Sequence, residues 1–79
     1  MQESLEQFLH GRTLSGNQYE FINMLIDHLT EHGAMDAGRL YESPFSDVAP
    51  VGPEALFGKA DADVLVRVIE QTSNAANAA

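Results

Sequence analysis

The sequence predicts an all-α fold: a small helical domain with one long central helix, two or three shorter helices and an apolar strap containing proline and glycine. Three observations predict it. Apolar residues recur at i, i+3 and i+4 along much of the chain, and the alternation of a half-buried strand appears nowhere. Serine followed three residues later by glutamine, a capping-box pattern, occurs directly before two such runs. Gly11, Gly33 and Pro44 stand where periodic runs stop.

The first run, SLEQFLHG, places Leu5, Phe8 and Leu9 on one face, with Ser4 and Gln7 as the capping box and Gly11 at the left-handed exit position. Starting at Ser4 it has under two turns, too few to persist alone. It is expected to be a packed stub or the end of a longer helix. The second run carries the clearest signal. Ser15 and Gln18 repeat the box, and a helix is predicted from Gly16 to His32, closed by Gly33. Phe21, Ile22, Leu25, Ile26 and Leu29 form its apolar stripe, and Glu20, Asn23, Asp27, Thr30 and Glu31 its wet face.

A short helix AGRLYES follows, with Asp36 as N-cap and Pro44 forcing the exit. After an irregular link, Gly52 and Pro53 set up a further turn, PEALF, with proline at the first helical position. The last helix is predicted to begin after Asp61. It turns Val64, Leu65, Val68 and Ile69 inward and Asp63, Arg67 and Glu70 outward. Phe21, Leu25, Leu29, Leu65, Val68 and Ile69 are the expected core. Residues 1–73 form one helical domain on this reading, and residues 74–79 are expected to be a disordered tail.

The strap, LYESPFSDVAPVGPEALFG (residues 40–58), holds three prolines yet also Leu40, Tyr41, Phe45, Val48, Val51, Leu56 and Phe57. Surface loops are ordinarily polar, so this apolar content needs a purpose. Prolines restrict the unfolded chain, and Tyr41, Phe45, Leu56 and Phe57 are placed to plug gaps between the long helix and the last one. The middle, Asp47 to Glu54, is expected to face outward, with Asp47, Val48, Val51 and Glu54 as candidate docking residues.

Composition narrows the function. The chain has 79 residues, 12 acids against 4 bases, a formal charge of −8 and no cysteine. The bases Arg12, Arg39, Lys59 and Arg67 are dispersed, whereas a nucleic-acid face needs them clustered, so direct contact with DNA or anionic lipid is not expected. The cysteine count excludes thiolate chemistry and fits a reducing compartment. Nothing reads as a signal peptide or a membrane span, which points to a cytoplasmic protein.

No catalytic constellation emerges. His28 and His32 are four apart, but the HExxH arrangement is absent. Their expected role is to flank the apolar stripe near a helix C-terminus, where positive charge is welcome. The carboxylates spread over outer faces, Ser43, Ser46 and Asp47 flank Phe45 without a GxSxG elbow, and GRTLSG and GPEALFGK both lack a P-loop frame. No metal, cofactor or nucleotide site is expected, and the isolated chain is expected to be monomeric.

The run LSGNQYEFINMLIDHLTEHGAMDAGRLYESPFSDVAPVGPEALF resembles the C-terminal domain of EcoEI-type type I restriction enzyme R subunits. There a helix of the form NQxEFIxxxxxxLTExG is followed by LYESPFxDxxPxGPExLF and a closing amphipathic helix. The resemblance covers roughly residues 5 to 71. It implies a piece of a large subunit of an ATP-dependent, site-specific deoxyribonuclease. The nuclease and motor domains of that parent, with their ATP and magnesium, lie outside this segment, so no catalytic residue carries over. The partners it implies are the methylase and specificity subunits and neighbouring domains of the R subunit. The expected function is therefore non-catalytic assembly. Two alternatives are an acidic DNA-mimic antirestriction protein and a purely structural cap on the motor domains. Mimicry needs rows of acids at DNA spacing, whereas here acids alternate with apolar positions as in any amphipathic helix.

Overall fold

Both capping boxes form as the spacing predicts. In a computed structural model, which describes residues 4–78, the Ser4 hydroxyl accepts from the Gln7 N–H at 3.1 Å and the Gln7 side chain accepts from the Ser4 N–H at 3.2 Å. They open α1 (Leu5–Leu9). Ser15 and Gln18 repeat the exchange at the start of α2 (Gly16–His32), and Gly33 ends that helix in the left-handed region at φ 75°. Because caps act within one turn, the ends of α2 fall where the sequence places them.

A 3₁₀ helix (Ala37–Tyr41) follows, its first turn capped by the Asp36 carboxylate, which accepts from the Gly38 N–H at 3.0 Å. It replaces the longer AGRLYES helix of the sequence reading: Glu42 is already extended, and the Ser43–Pro44 peptide is cis. The expected irregular link contains one helical turn, α3 (Phe45–Val48). Then come α4 (Pro53–Phe57), with proline at its first position, and α5 (Lys59–Ala78). No strand occurs among the described residues.

Two ends of α5 differ from expectation. The helix begins at Lys59, two residues before Asp61, where the Lys59 ammonium meets the Asp63 carboxylate at 2.9 Å. Its other end runs through Ala78, over residues expected to trail off. Alanine has the highest helix propensity, and Ser73 anchors the segment from its flank. The Ser73 hydroxyl accepts from the Met35 N–H and donates to the Met35 carbonyl, both at 3.0 Å.

The core lies between α2, α5 and the strap. Phe21, Ile22 and Leu25 from α2 meet Leu65 and Ile69 from α5, with Phe8, Met35, Leu40, Phe45 and Ala49 completing it. Two stripe positions depart from the prediction: Leu29 is half-buried and Ile26 is 37% exposed. With Leu25 fully buried, Ile26 lies about 100° further round the helix, outside the arc that α5 and the strap cover.

All four phenylalanines of the chain form one edge-to-face series. Phe8 meets Phe57 at 5.9 Å, Phe57 meets Phe21 at 5.7 Å, and Phe21 meets Phe45 at 5.2 Å. Such pairs add roughly 0.5–1.5 kcal/mol beyond area burial. The strap thus supplies the rings on either side of Phe21, which accounts for its apolar content. Arg12 joins the ends of the fold. Its guanidinium makes two 2.9 Å bonds to Asp61, lies 4.1 Å from the Phe8 ring centre, and donates from Nε to the Phe8 carbonyl.

At the far end of α2 the His28 and His32 ring centres are 4.5 Å apart. Partial burial, then His32, then Arg39 lower the pKa of His28 below its usual 6.5, and Glu31 opposes them. The favourable helix C-terminus is outweighed at His28. With the folded value depressed, the unfolded chain binds the proton more readily, so stability falls as pH drops through 6.5 and the full penalty is present below the folded value. Thermal midpoints measured between pH 8 and pH 5 are expected to fall more for the parent than for His28→Gln. Parallel profiles would show that His28 is not the group responsible.

Candidate docking surface

The strap leaves the core at Ala49 and re-enters it at Pro53, both buried, and the turn between them projects outward. The Gly52 N–H closes this turn on the Ala49 carbonyl at 3.0 Å. Pro50 and Val51 occupy its tip, and Val51 is 81% exposed, the largest exposure among the big apolar residues described. A groove of 170 Å³ runs beside it toward α4, walled by Val48, Pro50, Val51, Ala55 and Leu56.

The four candidate docking residues divide. Val51 is exposed as expected. Val48 is not: it sits on the last residue of α3, half-buried, and packs on the core while contributing one wall of the groove. Asp47 is exposed and its carboxylate accepts from the Ser43 hydroxyl at 3.1 Å. Glu54 is half-exposed in the first turn of α4 and accepts from the Tyr41 hydroxyl. That bond holds the Glu54 carboxyl below its usual range and pushes the Tyr41 phenol up.

Tyr41 itself corrects a further expectation. It does not plug the core; the residue is 51% exposed and its ring lies against Gly52 of the turn. Leu56 and Phe57 are half-buried against the core, and Phe45 is buried, as the reading of the strap requires. The importance of Tyr41 and Gly52 was not visible in the sequence, although a glycine before proline was a signal that the backbone there is unusual.

Gly52 shows how the turn is fixed. Its φ of 97° and ψ of 165° lie in a region that residues with a side chain rarely adopt. A Cβ there would stand 2.7 Å from Glu54 Oε2 and 2.9 Å from the Tyr41 ring. Gly52→Ala is expected to cost roughly 1–3 kcal/mol, whereas Gly16→Ala, with open space around it, is expected to be neutral or stabilising. Equal urea midpoints for the two variants would show that the turn is not held in this conformation.

Two other concavities are less suited to a partner. The one at α1, lined by Ser4, Gln7, His10 and Arg12, has its arginine committed to Asp61 and Phe8. The other, between Leu5, Leu29 and Val68, contains no charged side chain and no projecting apolar tip. No group of three or more histidine, aspartate or glutamate side chains with metal-binding geometry occurs among the described residues. None of their helices is long and apolar enough to cross a membrane.

The comparison with known families decides the kinship. The family model described as EcoEI R protein C-terminal matches residues 1–73. The chain belongs to this family. The match spans α1 through most of α5, including both capping boxes and the whole strap, and so covers the candidate docking surface. No match was found among curated proteins or among solved structures. The EcoEI R protein C-terminal family is the C-terminal part of a type I restriction enzyme R subunit, and its fold in this chain is all-helical.

Proposed function

We propose that this chain is a non-catalytic assembly domain that helps hold the R subunit, the ATP-dependent translocase and nuclease of a type I restriction enzyme, against the methylase–specificity core. The observation that carries the reading is Val51: a large apolar side chain, 81% exposed, at the tip of a turn fixed by Gly52, Pro53 and Tyr41. A turn already held in one conformation loses little entropy on docking, so more of its contact energy appears as affinity. Family membership supports the reading, since the family is the C-terminal part of a type I restriction enzyme R subunit. ATP, magnesium and the residues that use them belong to those domains on this view.

The test compares binding of the chain to purified methylase–specificity core before and after Val51→Asp. The substitution puts a charge where Val51 is mostly exposed to solvent, so circular dichroism should match the parent's and stability is expected to stay within about 0.5 kcal/mol of it. Affinity for the core is expected to fall roughly tenfold or more, the effect of burying an unpaired charge in an interface. Unchanged affinity, or loss of the fold, would make the turn filler and end the docking reading.

A further inference from the structure

We propose that the groove beside Val51 takes one aliphatic side chain from a partner protein segment whose flanking residues are lysine or arginine. This rests on the docking reading above and adds the chemistry of the partner.

Size comes first. Cofactors and drug-sized ligands occupy clefts of roughly 300–1,000 Å³ with a few placed polar groups. The groove has 170 Å³ and its lining side chains are apolar, so it suits a single leucine, isoleucine or methionine side chain. Backbone pairing offers the partner little. The N–H groups of Ala49, Gly52 and Ala55 already donate to the carbonyls of Phe45, Ala49 and Gly52. Recognition by strand addition needs such groups free, so the partner is read by its side chains.

Charge sets the flanks. Residues 40–58 contain Glu42, Asp47 and Glu54 and no lysine or arginine. Asp47 and Glu54 directly precede the groove residues Val48 and Ala55 in sequence, and Glu54 Oε2 lies close to Gly52. Each carboxylate accepts one hydrogen bond from a strap hydroxyl, which orients it and leaves further acceptor capacity. The basic residues bordering the strap make their direct ion pairs with other acids, Arg39 with Glu42 at 4.0 Å and Lys59 with Asp63 at 2.9 Å, while Lys59 acts on Glu54 only at longer range. An apolar slot on a strap that carries three acids and no lysine or arginine favours a segment with an aliphatic residue among cations and repels an acidic one.

The experiment measures binding of the chain to immobilised methylase–specificity core at low and high salt. Asp47→Asn with Glu54→Gln removes both charges and keeps an acceptor for Ser43 and Tyr41. Ala55→Trp fills the groove from its exposed side. The proposal expects the double variant to bind roughly 3- to 10-fold more weakly at low salt, with the difference shrinking at high salt. It expects Ala55→Trp to lose binding at both salt levels while keeping the parent's circular dichroism. Double-variant affinity that is unchanged, stronger or equally reduced at both salt levels overturns the basic partner. Full binding by Ala55→Trp overturns the inserted side chain. In either case sensitivity to Val51→Asp would leave the docking reading standing. Failure of the parent chain to bind the core removes that reading, and this proposal with it.

Discussion

Leu25→Ala is expected to cost roughly 2–5 kcal/mol, the range for removing a fully enclosed leucine. Leu25 is 0% exposed and sits midway along α2, in the cluster where that helix meets α5 and the strap. The loss combines the transfer energy of the missing methyl groups with a cavity that a well-packed core fills only partly. A domain of this size has a total stability of order 5–10 kcal/mol, so one such change removes a large share of it. Urea unfolding should show a lower midpoint with an unchanged slope, since the surface exposed on unfolding hardly differs. A midpoint equal to the parent's would mean that this face of α2 is not the one the core covers.

Phe45→Ala is expected to have an effect at least as large, roughly 3–5 kcal/mol. Phe45 opens α3, is 2% exposed and meets the Phe21 ring edge-to-face at 5.2 Å. Removing it empties one side of Phe21 and loosens the strap from α2. A double-mutant cycle with Phe21→Leu and Phe45→Leu isolates the ring contact. A coupling of about 0.5–1.5 kcal/mol is expected. If Phe45→Ala leaves stability intact, the strap is not part of the core. Set beside Val51→Asp, which should spare stability, this variant separates the two halves of the strap.

Much of this fold was legible because the relevant physics is local. Ser15, Gln18 and Gly33 set the ends of α2 through bonds spanning at most four residues. The inward positions Phe21, Leu25, Leu65 and Ile69 follow from helical periodicity. The candidate surface was legible only in part. Val48 and Val51 have the same side chain three residues apart in one proline-rich run, and nothing in composition separates them. One turn of helix at α3 directs Val48 onto the core, and the next turn carries Val51 outward.

By itself the sequence determined the all-helical class and the span of α2. Those follow from residue spacing over distances of a turn or two. Tertiary structure alone decided which strap residues face outward and why the turn holds. Tyr41 reaches Glu54 across 13 residues, and Gly52 has room only because it lacks a side chain between them. Arg12 meets Asp61 across 49 residues, and Ser73 meets Met35 across 38, tying α5 down near its end. Such contacts depend on the path of the whole chain, which residue spacing does not encode, so they appear only once the helices have packed.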